Sequence, residues 1–295
     1  MQMRTDLALE EKELAQEEDL SGVLCETVKE GNIEISKIVI KSDKAGRLLH
    51  KEKGTYITVE LPPLTDNFTD TQAMAETIGR EIRNLLPVHG LVLVTGLGNT
   101  EITPDALGPK AALQVLATRH ITGELARSTG LDRLRAVAVL VPGVTGQTGI
   151  ETGEYILSLV KKIKPSAVIA VDALAARRLE RIGNTLQISD TGIAPGAGVG
   201  NHRTNINKSV LGVPVIAVGI PTVVDAATLA VDLLKLETEK EINSVLSTLS
   251  PNGRKMVVTP KEVDLMIERG AKLIGVSINS ALQTEVSIQE LAMLM

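Results

Sequence analysis

Leu91-Val92-Leu93-Val94-Thr95-Gly96-Leu97-Gly98-Asn99-Thr100-Glu101-Ile102-Thr103-Pro104-Asp105-Ala106-Leu107-Gly108-Pro109 decides how the rest of the chain reads. An apolar run of the kind that fills a buried parallel strand breaks into glycines and then reaches an aspartate in an Asp-Ala-Leu turn. A second stretch repeats the arrangement, with Ala167-Val168-Ile169-Ala170-Val171 ending on Asp172 and followed by Ala173-Leu174-Ala175. In an open α/β sheet, ligands and chemistry collect at the carboxyl ends of parallel strands. Two carboxylates converging there can share a proton and activate a water. Each aspartate alone has a plainer reading: Asp105 as the acid of a helix's first turn, Asp172 as a helix N-cap. The setting they share makes them candidates for catalysis.

Working outward, strand-like runs at 91–95, 135–141, 166–171, 185–189 and 213–218 alternate with helical stretches near 108–119, 149–163, 173–182 and 222–236. This rhythm predicts an α/β fold, with a mostly parallel or mixed sheet carrying helices on both faces. Thr148-Gly149-Ile150-Glu151 and Thr259-Pro260-Lys261-Glu262 have the spacing of capping boxes, and Val263, Met266, Ile267 and Leu273 make an apolar face over 259–279. Towards the amino terminus, Ile33 to Ile40 and Tyr56 to Leu61 alternate as strands around a turn-prone 42–46, giving a β-rich arm over about residues 20–65. Helical spacing of Met74, Ile78, Ile82 and Leu85 follows over 70–86. The acidic block 10–20 is expected to be a solvated helix or a mobile arm.

A chain of 295 residues can bury a full core as one large domain with an arm. Tyr56, Phe68 and Tyr155 are its only aromatic residues, so that core is aliphatic. Scarce aromatics and a net charge of −5 argue against direct nucleic-acid binding. Cys25 is the only cysteine, which forbids an intramolecular disulfide and fits a reducing compartment. The amino terminus shows no apolar signal region, and the apolar runs are too short to span a bilayer. A soluble cytoplasmic protein with no membrane association is expected. The four histidines are scattered and no metal-binding spacing is present, so neither a metal nor another cofactor is expected. No Gly-x-Ser-x-Gly elbow occurs. Gly196-Ala197-Gly198-Val199-Gly200-Asn201-His202-Arg203 matches neither the dinucleotide fingerprint nor the Walker loop, and its glycines suit close approach of another backbone. Pro142 to Gly149 forms a further glycine-rich loop at a strand end.

At these residues the chain resembles the spore germination protease family, peptidase family A25. The resemblance is carried by Gly96-Leu97-Gly98-Asn99, by Thr103-Pro104-Asp105-Ala106-Leu107-Gly108-Pro109-Lys110, and by Val141-Pro142-Gly143-Val144 with Thr148-Gly149-Ile150-Glu151-Thr152. It continues through Val171-Asp172-Ala173-Leu174-Ala175-Ala176-Arg177, Gln187 to Ile193, Gly198-Val199-Gly200-Asn201 and Gly219 to Ala226. It implies an atypical aspartic endopeptidase, related in fold to hydrogenase-maturation endopeptidases, with a phosphorylase/hydrolase-like sheet. It further implies degradation of small acid-soluble spore proteins, assembly as a homotetramer and synthesis as a zymogen. Asp105 and Asp172 match the catalytic pair, and Thr5-Asp6-Leu7-Ala8 matches a self-cleavage site cut between Asp6 and Leu7. Residues 1–6 would then be a pro-segment and 7–295 a single peptidase domain. One departure stands out: members of the family carry a longer insertion between Asp225-Ala226 and Val258-Thr259-Pro260, which bears on tetramer contacts and regulation.

The mechanism so implied is non-covalent hydrolysis, with one carboxylate as general base on water and the other, protonated, polarising the scissile carbonyl. A coupled pair titrates as a unit, so the order of roles is open. The loops holding Gly98, Asn99, Gly146 and Gly149 are candidates for substrate binding and for stabilising the oxyanion. Lys110, His202 and Arg203 are candidate cations for an acidic residue before the cut. Two alternatives remain at this point: a nickel-dependent maturation-type endopeptidase, and a spore-protein binding module without turnover.

Overall fold

Aliphatic strands stack in the middle of this protein and amphipathic helices cover them from both sides. The structure, a computed structural model, describes residues 5–15, 20–66, 71–128, 130–196, 204–234 and 256–286, with 241, 245 and 290 besides. The strands are β1 (Val23–Glu30), β2 (Ile33–Ile40), β3 (Gly54–Glu60), β4 (Val92–Gly96), β5 (Val137–Leu140), β6 (Ala167–Ala176), β7 (Thr185–Ser189), β8 (Val215–Asp225) and β9 (Val257–Val258). The helices are α1 (Ala8–Leu14), α2 (Asp43–Leu48), α3 (Thr71–Leu85), α4 (Leu107–Leu113), α5 (Gly123–Ser128), α6 (Thr145–Thr148), α7 (Thr152–Ile163), α8 (Lys208–Leu211), α9 (Ala226–Leu234) and α10 (Val263–Leu282).

Among the described residues, nine strands join one mixed sheet in the order β1-β2-β3-β7-β8-β6-β4-β5, with β9 paired to β8. The block β8-β6-β4-β5 is parallel, and β1, β2, β3 and β7 extend it through antiparallel pairs. The amino-terminal strands are therefore continuous with the sheet that carries the predicted site. Alternation splits the core in two: Val92, Val94, Ile169 and Val171 face α3 and α10, whereas Leu93, Val168 and Ala170 face α7. Helices on both faces are what the strand–helix rhythm predicts.

Several local expectations change. The stretch 173–182 is not a helix, because β6 runs on to Ala176 and only a 3₁₀ turn, Leu179–Arg181, follows. Likewise β8 continues to Asp225 before α9 begins. In both cases pairing between β6 and β8 continues past the expected ends, and ladder bonds outweigh the helix propensity of Ala173-Leu174-Ala175. Residues 43–48 form a helix rather than a simple turn, capped by the Ser42 hydroxyl accepting from Ala45 N. Neither capping box forms: Thr259 Oγ1 donates to Thr222 O, and the helix after Thr148 starts from Glu151.

The first turn of α4 lies directly on the sheet. A Cβ on Gly108 would stand 2.3 Å from both Leu97 O and Val171 O, and one on Gly98, where φ is +120°, 2.0 Å from Asp105 O. Only glycine allows backbone to touch backbone at these points. Gly108→Ala should force α4 away from β4 and β6 and destabilise the fold by about 1–3 kcal/mol or more; denaturant unfolding checks this.

Candidate active site

Adjacent strands β4 and β5 send their connections to opposite faces, β4 to α4 and β5 to α7. Such a divergence opens a crevice at the carboxyl ends of the strands. Asp105 ends a 3₁₀ turn, Thr103–Asp105, between β4 and α4. Its Oδ2 accepts from Asn99 N at 2.7 Å, which folds the glycine loop over it. Thr222 Oγ1 donates to Pro104 O at 2.7 Å, tying the same turn to β8. Asp172 lies inside β6, not at its end, and is 5 % exposed. Its Oδ1 accepts from Ala173 N at 2.9 Å. Opposite it in register stands Gly219, whose Cβ would come within 2.6 Å of Asp172 O.

Asp105 and Asp172 line one cleft together with Leu97, Gly98, Asn99, Val144, Thr152, Thr222, Val223 and Asp6. Asn99 links the two crevice loops, its Oδ1 accepting from Gln147 Nε2 at 2.8 Å and from Glu101 N at 3.0 Å. Gly146 lies in α6 and Gly149 closes that helix in a left-handed conformation, and neither lines the cleft. Lys110 is exposed on α4 and lies outside the lining. His202 and Arg203 fall outside the described residues. The amides of Leu97 and Asn99 are engaged, with Val171 O and Asp105 Oδ2.

The described part of the acidic block, residues 10–15, behaves unlike a solvated arm, and 16–19 lie outside the described residues. β4 stops opposite Val171, while β6 continues to Ala176. Onto this stretch docks the amino-terminal segment: Asp6 N donates to Ala175 O, and Ala175 N donates to Asp6 Oδ2, both at 2.8 Å. Leu7 is fully buried in the main core. Glu10 is fully buried as well, and accepts from Arg177 N at 2.7 Å, Arg178 N at 2.9 Å and the Thr5 hydroxyl. A buried carboxylate is tolerated because it caps these donors. Glu13 meets Arg177, Arg178 and Arg181 within 3.5 Å. Lys51, which the sequence did not single out, donates to the carbonyls of Thr5 and Asp6. Burial pushes its ammonium below the ordinary lysine range, against the opposing pull of Asp6, Glu11 and Glu10. Burial raises Glu11 above the ordinary carboxylate range, although Lys51 and His50 pull it down.

Glu10→Ala would leave the Arg177 and Arg178 amides without their carboxylate, at a cost of about 1–3 kcal/mol for each amide left unpaired. The expected outcome is faster hydrogen exchange at these amides and earlier proteolysis of the amino-terminal segment; unchanged exchange would show that the carboxylate does not hold the segment.

Among the described residues no group of three or more His, Cys, Asp or Glu side chains converges as a metal site, and no helix is long and apolar enough to cross a membrane. The family model Peptidase_A25, germination protease, matches residues 2–236. Similar proteins include the germination protease of Caldanaerobacter subterraneus subsp. tengcongensis, 41 % identical over 99 % of this chain and 98 % of its own. That of Clostridium perfringens strain 13 is 40 % identical over 98 % of each chain. That of Priestia megaterium is 37 % identical over 96 % of this chain and 94 % of its own. These alignments extend over 318 to 351 positions, so the relatives hold residues that this 295-residue chain lacks. A solved [NiFe] hydrogenase maturation protease, HycI from Thermococcus kodakarensis, superposes on 67 % of this chain and 98 % of its own, with 18 % identity and a TM-score of 0.37.

Proposed function

Because this chain belongs to the germination protease family, peptidase A25, and is a protease, we propose that it is an endopeptidase of atypical aspartic type whose working pair is Asp105 and Asp172. Its substrates are the small acid-soluble proteins of the spore core, cut after an acidic residue during germination. The observation that supports this most directly is that both carboxylates and Asp6, the residue before the expected self-cleavage bond, line a single cleft. One carboxylate takes a proton from water as it adds to the scissile carbonyl, and the other delivers a proton as the amine departs. Asn99 N donates to Asp105 and Ala173 N to Asp172, which holds each carboxylate in place at the cleft.

Residues 1–6 form the pro-segment of a zymogen that cuts its own Asp6–Leu7 bond, and the active form assembles as a homotetramer. The interval between α9 and β9 is where a shortened insertion would alter that assembly.

Asp105→Asn and Asp172→Asn should each lower cleavage of a small acid-soluble spore protein by at least about 1,000-fold, since either change removes a group that must ionise or share a proton. Melting temperature should stay near that of the unaltered chain. Near-normal turnover in both variants would refute the aspartic mechanism.

Mass spectrometry of the purified chain at mildly acid pH should show a product beginning at Leu7, while Asp172→Asn stays full length. Equal trimming of that variant would assign the cut to another protease.

A further inference from the structure

One side chain grips the Asp6–Leu7 linkage from both ends. Gln187, on β7, donates Nε2–H to the Asp6 carbonyl at 2.9 Å and accepts from Ala8 N on Oε1 at 2.7 Å. The Lys51 ammonium donates to the same Asp6 carbonyl, also at 2.9 Å, and to the Thr5 carbonyl at 3.3 Å. Two donors thus stand beside the oxygen on which charge would develop, and Asp6 lines both the cavity of Lys51 and Gln187 and the cleft of the two aspartates. By contrast, the amides of Leu97 and Asn99 in the glycine loop are engaged elsewhere.

The loop that delivers Lys51 is built for it. His50 takes a left-handed φ of 47°, an uncommon conformation for a residue with a side chain, and Lys51 N closes back on Gly46 O at 3.0 Å. A Cβ on Gly46 would stand 2.7 Å from Lys51 O, so this return needs glycine there. The charge of the Lys51 ammonium is favoured by three acids, Asp6 most, then Glu11 and Glu10. Asp6 is held on its other side by the Ala175 amide and carbonyl.

We propose that Lys51 and Gln187 form the oxyanion site for self-cleavage, and that Lys51 is the cation that favours an acidic residue on the amino side of the cut. The proposal rests on the reading of Asp6–Leu7 as the self-cleavage bond. Water, giving its proton to one carboxylate of the pair, adds to the Asp6 carbonyl carbon, and the carbonyl electrons move onto oxygen between Lys51 and Gln187. Collapse restores the carbonyl and breaks the bond to Leu7 N, which takes a proton from the other carboxylate. The products are the Asp6 carboxyl group and the Leu7 amine.

The test is a mass-spectrometric time course on the full chain. Lys51→Met and Gln187→Ala should each slow the cut after Asp6 by about 100-fold or more, with Lys51→Arg retaining part of the rate. Asp6→Asn should slow the cut in the unaltered chain and add little in the Lys51→Met background, because charge recognition is already lost there. A clamp variant that melts normally and cuts at the unaltered rate or faster overturns the proposal, as does full multiplication of the Asp6→Asn and Lys51→Met effects. If Lys51→Met does not fold, Gln187→Ala and the pair Lys51→Arg with Asp6→Asn decide on the same criteria. The controls separate the two levels. Failure of the unaltered chain to cut after Asp6, or equal cutting of Asp172→Asn, overturns self-cleavage itself and this proposal with it. Normal controls with unaffected clamp variants overturn only the roles of Lys51 and Gln187.

Discussion

Everything at this site depends on one close contact between backbones. The first turn of α4 rests on the carbonyls of Leu97 and Val171 at a distance that leaves no room for a Cβ on Gly108. That contact fixes the turn carrying Asp105 against β6, the strand carrying Asp172. Gly98 permits the loop from β4 to pass beneath the Asp105 backbone and present Asn99 N to its carboxylate. Gly219 makes the matching concession on the other side of Asp172. These three glycines act as spacers. They allow two carboxylates from separate elements to enter one cleft.

A second constraint follows from unequal strand lengths. β6 outruns β4, and its continuation carries backbone groups that would need partners. Asp6 supplies them at Ala175, and Glu10 supplies them at Arg177 and Arg178. The amino-terminal segment thus caps the free edge of β6 with one backbone bond and two carboxylates, without becoming a strand itself. Its electrostatics pull in opposite directions. Glu11, raised by burial, contributes stability that is complete below the ordinary carboxylate range and is lost as pH rises through its raised value. Lys51, lowered by burial, contributes stability complete above the ordinary lysine range and lost as pH falls through its lowered value. Asp6, Glu11 and Glu10 oppose that lowering.

The α/β class and the placement of β4, β5 and β7 were legible because apolar runs are local signals, whereas the expected Asp-Ala-Leu turn at Asp172 is strand. The ends of β6 and β8 were not. Ala173-Leu174-Ala175 favours a helix by propensity, and only the ladder to β8 holds it extended. The acidic block misled for a related reason: composition reads Glu10 as solvated, while its partners are amides lying 167 and 168 residues away in sequence. Lys51 had no signal in its neighbours, since it acts on carbonyls 45 and 46 residues earlier. Charge pairing across such distances carries no periodicity that a single sequence can display.

The Asp6–Leu7 bond also divides the segment by the kind of force that holds it. On the amino side, Asp6 is retained by hydrogen bonds to Ala175, Lys51 and Gln187, each exchangeable for water at a net worth of about 1 kcal/mol, and more where charge assists. On the carboxyl side, Leu7 is fully buried in the main core, and burial of a leucine contributes about 1.5–3 kcal/mol with no water to replace it. Glu10 and Glu13 then anchor the helix that follows, through the amides after β6 and through the Arg177, Arg178 and Arg181 side chains. A cut at this bond would separate Asp6, held by hydrogen bonds, from Leu7, held by the core. Departure of Asp6 would uncover Ala175, which lines the cleft of both aspartates, and Lys51, which lines the neighbouring cavity with Gln187.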